Sequence, residues 1–280
     1  MAIFYNQASL SFGGTVTSSN ITQGEIIAGL TMTKTAASSD YGPGDGITYV
    51  ISIVNAGTTD VIDLTLTDNL GEYTVPGGTL EVTPLTYIED SLLYYQNGVL
   101  ASGAEVNPGP PLVISGITVP AGGNVTIIYE GRANAFAPLS AGSAIYNTAT
   151  LSGCEELTAN AQVETRDEAA LTISKAISPA TVTCGDEVTY TFVIQNSGNV
   201  PVVATDDLIV TDTFNPLLSD ITVTLNGESF TGYTYDEATG EFSTNAGAIT
   251  VPAATYTRDP ITRVVTTTPG VAILTVAGSV

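Results

Sequence analysis

The sequence predicts an all-β protein built from two tandem immunoglobulin-like β-sandwiches, the second of them lacking its last strand. Three observations carry that expectation. Short runs of Val, Ile, Thr and Tyr, such as residues 47–54, 125–129 and 188–194, alternate with turns of Gly, Pro, Asn and Asp, the period-two pattern of half-buried strands at sandwich spacing. No convincing amphipathic helix interrupts them. The chain also repeats itself: Lys34 to Asn55 matches Lys175 to Asn196 without a gap, at an offset of 141 residues, the mark of duplicated structural units.

The elements follow from the repeat. Residues 1–12 read as a displaced last strand, because Tyr5-Asn6-Gln7-Ala8-Ser9-Leu10-Ser11 matches Tyr146-Asn147-Thr148-Ala149-Thr150-Leu151-Ser152 at the same offset. Residues 13–29 are small and polar and read as a flexible linker. Residues 30–152 form the first sandwich, and 153–169 read as the interdomain linker. Residues 170–280 form the second sandwich, which stops after the strand at 271–276 and has no counterpart of residues 146–152. An incomplete sandwich exposes a backbone edge and an open groove, a strong drive for association. Residues 5–11 have the pattern to fill such a groove, with Asn6, Ala8, Leu10 and Phe12 on one face and Tyr5 on the other. If they act as residues 146–152 do, they complete the domain preceding the first sandwich, which belongs to a neighbouring copy. The expected assembly is a head-to-tail homopolymer; the alternatives are that residues 5–11 fold back onto the second sandwich of their own chain or form a plain tail.

Composition excludes several chemistries. The chain has 280 residues, 28 acidic and 6 basic side chains, a formal net charge of -22, no His, no Trp and two Cys. Without His there is no Ser-His-Asp triad, Cys-His dyad or His-containing zinc site. No metal site and no cofactor is expected. So acidic a surface repels phosphate, so nucleic acid is not an expected partner. No apolar run is long enough to span a membrane. The opening Met1-Ala2-Ile3-Phe4 lacks the basic and apolar regions of a secretory signal, which points to removal of a signal or to assembly from the cytoplasm of the producing cell.

Lys34 and Lys175 are the two lysines, at equivalent repeat positions. Alternation in Leu30-Thr31-Met32-Thr33-Lys34 and Leu171-Thr172-Ile173-Ser174-Lys175 places each amine on the apolar side, where desolvation favours a neutral, nucleophilic amine. Each copy carries an acid after a central strand, Asp68 or Asp212, and each last strand carries an Asn, Asn147 or Asn6. Lys, Asn and a buried acid on neighbouring strands are the parts of an autocatalytic isopeptide bond, in which the amine displaces ammonia from the carboxamide. The expected bonds are Lys34–Asn147 with Asp68, and Lys175 to Asn6 of the next chain with Asp212. Asp45 or Asp63, and Glu187 or Asp207, are alternative acids. The competing expectation is a plain buried Lys–Asp salt bridge in each copy.

The motif Lys34, Gly44-Asp45-Gly46-Ile47-Thr48-Tyr49, Asn55-Ala56-Gly57, Thr67-Asp68 and Asn147-Thr148-Ala149-Thr150 resembles the bacterial surface repeat catalogued as domain of unknown function eleven, or conserved repeat domain. That resemblance implies an extracellular, sandwich-fold, structural or adhesive protein. The opening Asn6-Gln7-Ala8-Ser9-Leu10-Ser11 is similar to that of Gram-positive members without signal peptides, some of them in clostridial endospore appendages. This implies a cell- or spore-surface location.

Cys154 and Cys184 flank the junction of the two copies and either form a disulfide or remain two free thiols. Glu155-Glu156 and Asp206-Asp207 lack any EF-hand spacing and read as solvated turns. No pair of acids is placed in a common cleft, so no turnover enzyme is expected. The alternative function is a surface adhesin that binds glycan or protein through loops, with Tyr87, Tyr94 and Tyr95 in segment 71–116 as the place to look.

Overall fold

The computed structural model describes residues 2–26, 29–75 and 79–280. Two compact units divide the chain. The first comprises Met1–Ser39, Gly44–Asn134 and Ile145–Val163, and the second Asp40–Pro43, Ala135–Ala144 and Glu164–Val280. Almost every described element is a strand, the exception being the short 3-10 turn Ala204–Asp206.

The first unit is a sandwich. One sheet has the order Val99–Leu100, Leu93–Gln96, Asn124–Ala133, Gly46–Asn55, Leu30–Ala36. The other runs Glu105–Asn107, Leu112–Val119, Val61–Asp68, Ala144–Ser152, Leu157–Thr165. Alternate residues point inward, because successive side chains on a strand lie on opposite faces. Tyr49, Ile51, Ile53, Val125, Ile127 and Tyr129 of one sheet meet Leu64, Leu66, Ile114, Ala149 and Leu151 of the other, all without exposed surface. Each fully buried Leu or Ile contributes about 1.5–3 kcal/mol.

The repeated Asn-x-Gly closes the same corner in both units. The Asn55 amide donates to the carbonyls of Thr59 (2.8 Å) and Val119 (3.2 Å) and accepts from the Gly57 amide (2.9 Å). Asn196 does likewise with Val200 (2.8 Å), Pro252 (3.1 Å) and Gly198 (3.0 Å). A buried amide with all its polar groups engaged is stabilising, whereas a partial set is costly, which accounts for this part of the repeat on structural grounds.

The second unit keeps one full sheet, Leu171–Ser178, Glu187–Asn196, Gly270–Ser279, Ser219–Leu225, Glu228–Ser229. Its second sheet is reduced to Thr211–Thr213, Glu241–Thr244 and Tyr233–Tyr235. Phe192, Phe214, Phe242, Leu274 and Val276 fill the core. In the first unit Ala144–Ser152 pairs along Val61–Asp68, with Ala149 opposite Asp68 and Leu151 opposite Leu66. Among the described residues no strand occupies the corresponding edge of Thr211–Thr213.

Two segments expected to be linkers are strands. Residues 13–29 contain Thr15–Ser18, paired with Ser9–Phe12, and Thr22–Ile26, paired with Ala2–Asn6. Residues 153–169 contain Leu157–Thr165, which adds to the sheet beside Ala144–Ser152. Residues 27 and 28 of the first segment lie outside the described residues. The reason is local. Gly13 and Gly14 both have positive φ, 59° and 82°, the geometry of a two-residue hairpin turn that glycine adopts without strain. The Thr, Val and Ile on either side favour extended backbone. Polarity disguised these strands, since Thr15–Ser18 is exposed throughout.

Removal of residues 1–26 is expected to change the unfolding free energy of the first unit by no more than about 0.5 kcal/mol, because among the described residues that hairpin's strands pair only with each other. Leu151→Ala, at a position with no exposed surface, is expected to cost about 2–5 kcal/mol. Denaturant unfolding of both variants checks the contrast.

Candidate functional site

The first unit encloses an ionic cluster between its two sheets. Lys34 comes from Leu30–Ala36, where it lies opposite Ile51. Asp68 ends Val61–Asp68 in the facing sheet, and Asn147 projects from Ala144–Ser152. The side chains of Lys34 and Asp68 have no exposed surface, and Asn147 has none either. Lys34 Nζ donates to Asp68 Oδ2 at 2.6 Å. The first and last strands, expected to be neighbours, therefore lie in opposite sheets and face each other across the core. The right-handed twist and stacking of two sheets bring their inner faces together, so a side chain on each can still converge.

Tyr129 joins the cluster and was not anticipated from the sequence. Its hydroxyl donates to Asp68 Oδ2 at 2.6 Å and accepts from Asn147 Nδ2 at 2.9 Å. Asp68 Oδ1 accepts from the Leu70 amide at 3.0 Å. Lys34 Nζ also lies 4.9 Å from the centre of the Tyr49 ring and 5.9 Å from that of Tyr129, within cation–π range. Among the described residues Asn147 Oδ1 accepts no hydrogen bond. A buried carbonyl left without a donor costs about 1–3 kcal/mol.

These surroundings perturb the titrating groups. Burial lowers the Lys34 ammonium from 10.5 to about 8, while the charge and hydrogen bond of Asp68 work in the opposite direction. Burial also raises the Tyr129 hydroxyl well above its ordinary 10.0, and the Asp68 charge adds to that shift. The site thus holds an amine near neutrality, an acid in contact with it, and a hydroxyl that links the acid to a carboxamide.

The second unit carries the same pair in an open setting. Lys175 lies opposite Phe192 in the strand register, and its Nζ forms an ion pair with Asp212. The ammonium sits 4.5 Å from the Tyr190 ring centre and 5.2 Å from that of Phe214. The expectation that this lysine is buried is corrected: its side chain is 39% exposed. Among the described residues no last strand covers it. The counterpart of Tyr129 is Val276, since Tyr129 pairs with Tyr49 and Val276 with the equivalent Tyr190. Tyr129 has no match in the repeat, and only the inward alternation of Val125, Ile127 and Tyr129 signals it.

The remaining expected residues fall as follows. Asp68 and Asp212 hold the two amines, rather than Asp45, Asp63, Glu187 or Asp207. Asn6, Ala8, Leu10 and Phe12 are all exposed on the N-terminal hairpin, as is Tyr5. Their equivalents Asn147, Ala149 and Leu151 are fully buried. Cys154 and Cys184 are free, exposed thiols, the second of the two readings the sequence leaves open. Tyr87 and Tyr94 are buried rather than displayed for a ligand. The Tyr94 hydroxyl donates to the Thr118 carbonyl at 3.0 Å, which gives it a packing role. Among the described residues no cluster of acids or cysteines could hold a metal ion, and no helix is long and apolar enough to cross a membrane.

No family model and no curated protein matches the chain. Solved structures do. The major pilin subunit of Bacillus cereus is similar over 96% of this chain and 73% of its own, at 13% identity and a TM-score of 0.38. A C-terminal fragment of the major pilin of Streptococcus agalactiae is similar over 86% of this chain and 91% of the fragment, at 14% identity and a TM-score of 0.35. The collagen-binding domain of a Staphylococcus aureus adhesin is similar over 48% of this chain and 97% of its own, at 14% identity and a TM-score of 0.31.

Removing one member of a buried ion pair leaves an uncompensated charge, at a cost of about 3–5 kcal/mol. In an Asn147→Ala background, Asp68→Ala is expected to lose about that much. The paired change Lys34→Met with Asp68→Leu is expected to recover most of it. Urea unfolding of the three proteins checks the order.

Proposed function

We propose that the protein is a structural subunit of an extracellular bacterial filament, polymerised head-to-tail by N-terminal donor-strand complementation and locked by Lys–Asn isopeptide bonds. The observation that carries the proposal is the contrast between the two sites. The first unit brings Lys34, Asp68, Tyr129 and Asn147 together out of water. The second presents Lys175 and Asp212 without an amide partner, while Asn6, the repeat equivalent of Asn147, stands exposed at the other end of the chain. Asn6 of a neighbouring copy supplies what the second unit lacks. The resemblance to a surface repeat agrees with a cell- or spore-surface appendage.

The chemistry in the first unit runs as follows. The Lys34 ammonium passes a proton to Asp68 Oδ2, leaving a neutral amine and a neutral acid. The Asn147 amide rotates, so that its unpartnered Oδ1 takes the Tyr129 hydroxyl as donor and Tyr129 takes the acid proton as acceptor. Lys34 Nζ attacks Cγ, forming the new C–N bond. The bond from Cγ to Nδ2 breaks, and the departing NH2 group takes one proton from the acid and leaves as ammonia, while the proton shed by the attacking amine restores the acid. No oxidant, metal or cofactor takes part. Each site reacts once, with an Asn of its own chain in the first unit and of a neighbouring chain in the second, so the protein is not a turnover enzyme.

Purified protein boiled in denaturant and reductant is expected to run as a ladder of multimers, each chain lighter by one ammonia per bond, with peptide maps joining Lys34 to Asn147 and Lys175 to Asn6. A single band at full calculated mass excludes the bonds. The pH dependence follows from the shared proton. The reactive form holds one proton on the Lys34–Asp68 pair, and the amine gives it up near pH 8. Chains refolded from inclusion bodies are expected to lose ammonia at a rate that falls about tenfold per unit above pH 8. A rate that rises through pH 8 shows that a neutral amine alone suffices and that Asp68 has no acid role.

A further inference from the structure

The filament reading needs only residues 5–11 to enter the neighbour. The structure carries the inference further, to the whole N-terminal hairpin and to a definite register. In the first unit two strands, not one, complete the sheet: Ala144–Ser152 pairs with Val61–Asp68, and Leu157–Thr165 lies on its outer side. The N-terminal segment has that same two-stranded form, already paired. Ala2–Asn6 is matched with Thr22–Ile26, and Ser9–Phe12 with Thr15–Ser18. The identity of the inward residues is also shared. Asn147, Ala149 and Leu151 are buried, whereas Asn6, Ala8 and Leu10 are exposed, Leu10 by 69%. Tyr146 and Tyr5, one step out of phase, are exposed in both hairpins, at 60% and 65%.

The acceptor edge is equally defined. Residues 208–211 and strand residues Leu171, Thr172 and Ile173 line a groove of about 290 Å³, with Ile173 and Ile209 about half exposed, at 57% and 49%. Apolar side chains along an unpaired edge are a docking surface for a strand. We infer that the second unit accepts residues 2–26 of a second copy as a preformed hairpin, with Ala8 opposite Asp212, Ser9 opposite Thr211, Leu10 opposite Val210 and Ser11 opposite Ile209. The register transfers the first unit's pairing of Ala149 with Asp68 and Ser152 with Thr65 onto the equivalent positions. The occupant is a second copy because of chain order. The hairpin at 144–165 completes the domain before it and leads into the domain after it. The N-terminal hairpin leads into the first unit in the same way, through residues 27–29, which reach about 10 Å fully extended, and among the described residues the second unit is the one whose matching edge, along Thr211–Thr213, is left open. The outer strand has two physical effects. It pairs the edge that a lone inserted strand exposes, and it fixes the donor's extended conformation before docking, which lowers the ordering cost of association.

This inference rests on the filament reading and can fail without it. In a chain with Cys154→Ser and Cys184→Ser, the pair Ser9→Cys and Thr211→Cys is expected to oxidise into disulfide-linked multimers, while Ser9→Cys with Ile209→Cys gives fewer than a tenth as many. Multimers with the second pair instead overturn the register, and an oxidised monomer overturns the second copy as occupant. Thr17→Pro disrupts the outer strand where it faces Leu10 and leaves residues 5–11 unchanged. It is expected to slow assembly at least tenfold, followed by light scattering, with the thermal midpoint unaltered. Assembly at the parent rate overturns the two-stranded donor and leaves single-strand donation standing. Absence of any multimer from the parent chain under electron microscopy removes the filament reading itself.

Discussion

An ammonium and a carboxylate shut between two β-sheets persist only together, and only while something keeps water out. Lys34 and Asp68 meet both conditions, because the strand Ala144–Ser152 lies over them and Tyr129 and Asn147 occupy the remaining polar directions. The second unit has the same two charges and no such cover. Its lysine remains wet, and three aromatic rings beneath it take the place of the missing wall. The last strand therefore decides whether a Lys–Asp pair is a hydrated surface contact or an enclosed reactive centre.

Much of this is legible in the sequence because the chain contains its own comparison. One offset identifies Lys34 with Lys175 and Asn147 with Asn6, and the same alignment sets residues 5–11 beside the strand residues 146–152. Tyr129 stayed hidden for the complementary reason: its counterpart is Val276, so the repeat gives no signal there. The strand Thr15–Ser18 reads as linker because it buries nothing, and burial is what writes a periodic pattern into a sequence; Leu157–Thr165 does alternate, with Ala161, Val163 and Thr165 inward, but its inward residues are mostly small and its outward ones polar. Which strands face each other across the core was also misread. Period-two alternation tells inside from outside, but not which sheet a strand joins.

The two units divide the burden of solubility in different ways. The first encloses its ionic pair and the apolar faces between its sheets, with Ile51, Leu66, Ile127 and Leu151 fully buried. The second leaves Leu171, Ile173 and Ile209 partly open, and the N-terminal hairpin carries Leu10, Phe12 and Val16 in water. A net charge of -22 opposes indiscriminate association of such surfaces, so that only a close backbone fit outweighs the repulsion. Salt, by screening that repulsion over about 8–10 Å, works in favour of contact between copies.

The placement of Lys34 and Asn147 in opposite sheets has a mechanical meaning. With the proposed bond in place, a pull applied at Leu30–Ala36 enters the first unit on one sheet and leaves at once through Asn147 into Ala144–Ser152, the strand that leads on toward the second unit. The backbone between these two residues, with most of the hydrophobic core, is then a closed loop hanging off the load path. Stretching such a chain extends its junctions and spares its folded interiors, so the bond's position, more than its strength, sets how far a fibre can lengthen before anything unfolds.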